Sequence, residues 1–226
     1  SAGSVNTDAG FSIVSWTGTG ANATVAHGLG SVPKMIILKN RDSAENWIVG
    51  NTSLGWTKYL ALNLTDSVST ASNIWQDTTP TSSVFSIGAS GKVNGSTHKM
   101  IAYCFADVKG YSKFSSYIGN GNADGTFVYT GFKPAFVIVK ASSRTGRWRI
   151  YDNKINPFNV ADTRLSAESA DAESTGTTNA IDIVSNGFKI RTSEGQFNGS
   201  GETNIYMAFA ESPFVTGSSA IPTTAR

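Results

Sequence analysis

Hydrophobic positions along this chain fall into short runs and alternations of strand length, while apolar stripes of helical spacing are scarce. Two runs, MIILK (35–39) and FVIVK (136–140), each follow a proline closely, at Pro33 and Pro134. Continuous apolar runs of this length predict strands covered on both faces, with the proline at the strand entry, where its missing N–H costs little. In IAYCFA (101–106), Ile101, Tyr103 and Phe105 alternate with Ala102, Cys104 and Ala106. Side chains alternate across a strand, so one face of it is large and the other small enough for a second layer to approach closely. The segment 205–210 keeps this pattern, with Ile205, Met207 and Phe209 against Tyr206, Ala208 and Ala210. Glycine and asparagine clusters at TGTGAN (17–22), KVNGS (92–96), NGNADG (120–125) and FNGSG (197–201) read as turns needing positive φ. The one stretch of fair helix propensity, TRLSAESADAES (163–174), has too thin an apolar stripe for a core helix and reads as a surface turn of helix or a loop.

The pattern occurs twice. Trp16, Gly18 and Gly20 align with Tyr117, Gly119 and Gly121, each 101 positions on (16 to 117, 18 to 119, 20 to 121), and Pro33 with Pro134 and Trp47 with Trp148 keep that spacing. Farther along, Asn94-Gly95-Ser96 aligns with Asn198-Gly199-Ser200 at an offset of 104 (94 to 198), so small insertions separate the halves. A self-similar period of this length predicts duplicated structural units. The expected architecture is all-β: two tandem, pseudo-two-fold related, β-sandwich-like repeats at 11–108 and 112–215, packed together, with 1–10 and 216–226 as terminal extensions.

Composition narrows the function. Charged residues make up 15% of the chain and the net charge is +2, from 18 basic and 16 acidic residues, too weak a field to gather a nucleic acid. No run approaches the roughly 20 apolar residues that span a bilayer, so membrane insertion is not expected, and the start SAGSVNTDAG has no signal-peptide pattern. The single thiol, Cys104, aligns with Ala208 and reads as a buried, inert residue. His27 and His98 stand alone without HExxH or CxxC spacing, there is no GxSxG, and no cofactor or metal is expected. Asn120-Gly121-Asn122-Ala123-Asp124-Gly125 matches only the first half of a calcium loop, because the twelfth position is Gly131. Asparagine sequons at Asn22, Asn51, Asn63, Asn94 and Asn198 carry no inference of glycosylation.

The combination WTGTG…HGLGSVPKMIILKNRDSAENW, AYCFADVKGY, YIGNG…GFKPAFVIVK and YMAFAESPF resembles a tandem-repeat family of tail-fibre and other appendage proteins of tailed bacteriophages, from about Val5 to Phe214. The resemblance implies a virion location, assembly in the host cytoplasm, attachment to a host cell-surface glycan or envelope protein, association with other fibre subunits and a homotrimer. It supplies no ligand and no site. The ending IPTTAR is similar to the C-termini of such proteins.

Positions that differ between the two copies are free of the shared fold. By that reasoning Trp56, Asn73, Trp75, Gln76 and Asp77, in the weakly aligned stretch 52–83, form a candidate sugar-binding surface, with indoles for a pyranose face and short polar groups for its hydroxyls. Arg144 and Arg147 are further candidates, and 153–186 is the second weakly aligned stretch. The expectation is a non-catalytic receptor-binding module. The alternatives are a structural or decoration module and a polysaccharide-degrading enzyme using carboxylates among Asp152, Asp162, Glu168, Asp171, Glu173, Asp182 and Glu194.

Overall fold

The computed structural model describes residues 2–211, together with the backbone of a short strand pair, Val215–Thr216 and Ile221–Pro222. The chain is all-β and divides into two compact units, at 1–107 and 108–226.

The first unit contains β1 (Ala2–Asn6), β2 (Phe11–Thr17), β3 (Ala23–Ala26), β4 (Met35–Asn40), β5 (Ile48–Asn51), β6 (Lys58–Ala61), β7 (Ser69–Thr70), β8 (Val84–Ile87) and β9 (Lys99–Phe105). One antiparallel sheet runs β1-β2-β9-β4-β5-β6-β7, and β3 pairs with β8 in a second. The first residues are therefore not a loose extension: β1 is an edge strand, with Ala2 opposite Ser15 and Asn6 opposite Phe11. The two sheets share one core, a sandwich-like arrangement in which Val14, Ile36, Leu38, Ala102 and Cys104 meet Val25, Phe85 and Ile87. The small-residue face of β9 is thus the inward one. In β4, Ile36 and Leu38 are fully buried while Ile37 is half-exposed, so that strand is fully covered on one face only.

The second unit contains β10 (Ser112–Ile118), β11 (Phe127–Tyr129), β12 (Pro134–Ala141), β13 (Trp148–Asp152), β14 (Thr163–Ser166), β15 (Ser174–Thr175), β16 (Ile181–Val184), β17 (Gly187–Ile190) and β18 (Thr203–Ala210). Its sheets run β10-β18-β12-β13-β14-β15 and β11-β17-β16. The order of β2, β9, β4, β5, β6 and β7 in the first unit is reproduced by β10, β18, β12, β13, β14 and β15, and β3 with β8 by β11 with β17. The helix-prone stretch 163–174 instead forms the β14–β15 pairing, Thr163 opposite Thr175. Helices are single turns: α1 (Ser72–Trp75), α2 (Gly91–Asn94) and α3 (Gly195–Asn198). None is long and apolar enough to cross a membrane among the described residues.

KVNGS and FNGSG run through these helical turns, with Gly95 and Gly199 at φ of −52° and −54°; the expected positive φ falls on Gly201, at +76°, in the second and on Thr97, at +64°, just past the first. Their asparagines close the same clasp in both units. Asn94 is fully buried; its Oδ1 accepts from Thr19 N at 3.0 Å and its Nδ2 donates to Thr19 Oγ1 at 2.9 Å and to Ala21 O. Asn198, equally buried, accepts from Asn120 N at 3.0 Å and donates to Asn120 Oδ1 and Asn122 O, both at 2.8 Å. The glycine turns are shaped to reach it. Gly20 and Gly121 both have φ +69°, and a Cβ on Gly18 or Gly119 would come within 2.0 or 2.3 Å of the carbonyl oxygen of Gly95 or Gly199. Neither asparagine can be a glycan acceptor.

Buried amides left without partners cost about 1–3 kcal/mol per group. Asn94→Ala should therefore destabilise the first unit by about 2–4 kcal/mol, and Asn198→Ala the second, each removing several such bonds. Urea unfolding followed by tryptophan fluorescence, which reports both units, checks this; a loss under about 1 kcal/mol in both variants contradicts it.

His27 is fully buried, with Nδ1 accepting from Leu29 N at 3.2 Å and Nε2 donating to Thr81 O at 3.1 Å. Burial lowers its pKa below the ordinary 6.5. On acidification the unfolded chain takes up this proton first, so the stability the neutral ring contributes is whole above pH 6.5 and falls as pH drops from there toward the lowered folded value. The slope from this one group is at most about 1.4 kcal/mol per pH unit. His27→Gln keeps an N–H for Thr81 and removes the titration, so urea midpoints between pH 7 and 5.5 should fall less steeply than in the parent; equal slopes would dismiss His27 as the cause.

Candidate functional site

The sequence-predicted indoles are interior. Trp56 and Trp75 are 4% and 0% exposed and pack edge to face, with centroids 5.4 Å apart at 90°. Trp75 also meets Phe85 at 6.5 Å. Gly50 makes room for both, because a Cβ there would come within 2.5 Å of Trp56 and 2.9 Å of Trp75. A pyranose cannot stack on either ring, which corrects the expectation that they form a sugar platform. The stretch 52–83 is not a free loop: it carries β6, β7 and α1, the last placing Ile74 and Trp75 in the core.

The polar neighbours of Trp75 do reach the surface. Asn73 and Gln76 line a shallow dish of about 340 Å³ with Asn22 and Ser72. Gln76, at φ +54°, donates through Nε2 to Ala23 O at 3.0 Å and to Ile87 O at 2.6 Å, clipping the paired ends of β3 and β8. With both amide hydrogens committed, only Oε1 remains to address a ligand. Asp77, at φ +48°, is exposed but is not part of the dish.

The predicted arginines separate. Arg147 lies between Asp171, 2.9 Å from its Nη1, and Glu168, 3.8 Å from its Nε, and Arg144 is exposed. Their neighbour Arg149 is buried, 3.2 Å from Glu194 and 5.3 Å above the Phe197 ring, and burial pulls its pKa below the usual arginine value. Of the weighed carboxylates, Asp152 holds Lys154 N, Glu168 holds Trp148 N, Asp182 pairs with Arg191 at 3.4 Å, and Glu194 caps α3. In the half calcium loop, Asn120 and Asn122 accept from the N–H groups two residues on, and Asp124 pairs with Lys189 at 2.7 Å, which draws its carboxyl below the ordinary range. Cys104 is buried and its thiol is pushed up to about 12 by burial, as befits an unreactive core residue.

An aromatic strip was missed. On β11, Phe127 and Tyr129 are 46% and 61% exposed, while Val128 between them is buried against the core that includes Phe188. Residues two apart on a strand share a face about 7 Å apart. β11 is an edge strand of its sheet, so the rings stand at an open margin. In the first unit the matching strand carries Thr24 and Ala26, as the equivalent antiparallel pairings of Val25 with Phe85 and Val128 with Phe188 establish. Comparing the two copies strand by strand would have found these rings; comparing tryptophans could not.

These features define an all-β protein of two units, each built of antiparallel sheets, with a polar dish on the first and an aromatic strip on the second. Among the described residues no group of three or more His, Cys, Asp and Glu side chains is placed to hold a metal ion. The chain belongs to the DUF7483 family, a domain of unknown function, which matches residues 1–213. No curated protein and no solved structure matches it.

Because Trp75 is a core residue, Trp75→Ala should cost about 3–5 kcal/mol of stability in the first unit. A parent-like urea midpoint for this variant would place the ring outside the core.

Proposed function

We propose that this chain is a non-catalytic adsorption module of a bacteriophage tail fibre or similar virion appendage, binding a glycan on the host cell surface. The observation that carries the reading is the exposed Phe127–Tyr129 pair, placed on a strand whose counterpart holds small and polar residues. Solvent-facing rings cost solubility and add nothing to the core, and aromatic side chains are the usual anchors of recognition surfaces. Sugar rings suit them, since a pyranose offers an apolar face to the aromatic ring and its hydroxyls to nearby polar groups. Separately, the first unit offers hydrogen-bonding groups for such hydroxyls in the polar dish of Asn22, Ser72, Asn73 and Gln76. The resemblance to appendage repeats supports the virion location, the fibre-subunit partners and the trimer.

A second reading, a structural or decoration module, draws on the same strip: an aromatic edge strand also suits contact with another fibre subunit.

One experiment separates the two. The labelled chain is incubated with whole cells and envelope preparations from a panel of bacteria, beside a Phe127→Ala/Tyr129→Ala variant whose exposed positions leave folding intact. Adsorption to some envelopes, blocked by stripping surface glycans and weakened about tenfold or more in the variant, is expected. Absence of adsorption to every envelope, with assembly onto fibre proteins lost in the variant, favours the structural reading.

A further inference from the structure

The three-stranded sheet β11-β17-β16 has one face on the core, through Val128, Phe188 and Ile183, and the other in solvent. Side chains alternate along each strand, so the register fixes what stands on the solvent face. Phe127 opposes Lys189, which opposes Asp182, and Tyr129 opposes Gly187, which opposes Val184. The ionisable groups around this face are interlocked. Lys189 Nζ lies 2.7 Å from Asp124 Oδ1, in the loop before β11. Arg191, just past β17, has its Nε 3.4 Å from Asp182 Oδ2 and its Nη1 4.0 Å from Asp124 Oδ1. Two cations and two carboxylates thus cancel beside the rings. All four side chains reach solvent, and Asp124 Oδ2 and Asp182 Oδ1 stand outside these pairs.

The first unit keeps the frame and lacks the chemistry. Val25 pairs with Phe85 as Val128 pairs with Phe188, so the equivalents of Phe127, Tyr129 and Lys189 are Thr24, Ala26 and Ser86. Among the described residues its small sheet is β3 and β8 alone, with no counterpart of β16 and Asp182. The fold therefore requires neither rings nor paired charges on this face. The patch is also small. Phe127 and Tyr129 stand about 7 Å apart along β11, and two strand spacings, roughly 10 Å, separate β11 from β16. A stable protein–protein interface takes about 800 Å² from each partner, far more than this face offers. One or two sugar rings fill it.

We infer that this face is a subsite for a neutral glycan, whose sugar rings lie against Phe127 and Tyr129 and whose hydroxyls bond the interlocked side chains beside them. A hydroxyl both donates and accepts. It can donate to Asp124 Oδ2 or Asp182 Oδ1 and accept from Lys189 and Arg191, which carry more N–H donors than their ion pairs use. A charged sugar gains nothing comparable, because a balanced set of charges repels it as well as attracts it, and contact strips the hydration from its own charge. The same balance makes binding insensitive to salt. The inference rests on the glycan-adsorption reading of the Phe127–Tyr129 pair and adds to it the class of glycan and the four polar side chains that select it.

The test uses the full chain and surface polysaccharides released from the bacterial panel, separated by anion exchange into neutral and anionic fractions. Binding is followed by calorimetry at 20 and 200 mM salt. Phe127→Ala/Tyr129→Ala removes the rings, and Asp124→Asn/Asp182→Asn keeps the side-chain shapes while leaving both cations uncompensated. All four positions are on the surface, and thermal melting confirms the fold of each variant. The expected result is that a neutral fraction binds about tenfold more tightly than the anionic one, changes less than about twofold between the two salts, and is lost by about tenfold or more in the ring variant. In the amide variant the preference should move toward the anionic fraction by about fivefold or more at low salt. A parent that prefers the anionic fraction, binding that falls steeply with salt, binding of neither fraction, a folded ring variant within about twofold of the parent, or an amide variant with unchanged preference overturns the inference. Glycan-dependent adsorption to cells combined with an anionic preference removes the neutral subsite and leaves the adsorption reading intact. If instead the neutral fraction binds as described while the chain adsorbs to no whole cell, the subsite stands and the adsorption reading falls.

Discussion

A buried carboxamide must find partners for two donors and an acceptor, and in each unit the chain is bent until it does. Asn94 sits at the end of a single helical turn, where its own backbone is already committed, and its side chain fixes the loop leaving β2. That loop can come close only because glycine stands at 18 and 20, the first for want of space and the second for its positive φ. Asn198 repeats the arrangement with Gly119 and Gly121. Sheet, helical turn and loop are thereby locked at one corner of the unit, with the carbonyl of the clasp residue adding a further bond to Gly20 N at 2.8 Å or Gly121 N at 2.7 Å. A polar network of this kind costs little when every member is satisfied and a great deal when one is missing, so it specifies the corner more sharply than apolar packing would.

Rigidity at that corner explains why surface chemistry can differ between the units without disturbing the strands. The backbone bonds Arg41 to Lys99 and Ser142 to Thr203 are the same, and only the side chains beyond them change. The same holds for β3 and β11, where the inward valine pairs with a phenylalanine in both units and the outward positions diverge from Thr24 and Ala26 to Phe127 and Tyr129. Side chains on strands are held more accurately than those on loops, which favours recognition surfaces built at strand ends and edges.

How much of this was legible from the residues depended on whether the signal was periodic. The alternation in 101–106, the prolines before the apolar runs and the duplicated asparagine–glycine motif are local and repeated, and they led to the right strands. Burial of Trp56 and Trp75 was not legible, because an indole has the same composition in a core as on a surface. What decides is Gly50 on β5, whose missing side chain leaves the room both rings occupy. The helical turns at 91–94 and 195–198 are too short for any periodicity, and a buried asparagine reads in sequence like any turn asparagine. Asn73 and Gln76 line one dish, whereas the tryptophan that drew attention to them in the sequence is buried.

Shallow surfaces set a limit on affinity, and the limit bears on the proposed role. A dish that covers one face of a sugar makes few contacts and cannot exclude water around them, so each engagement is weak. Weak sites suit an appendage that must sample many cells, provided several act together, because a second contact by the same particle is intramolecular and raises avidity without any new chemistry. An aromatic strip binds with little dependence on salt, so a gain of this kind would persist at physiological ionic strength, where charge is screened beyond about 8 Å. A duplicated fold leaves room for such a strip to arise, because each copy keeps its frame while its exposed positions change independently.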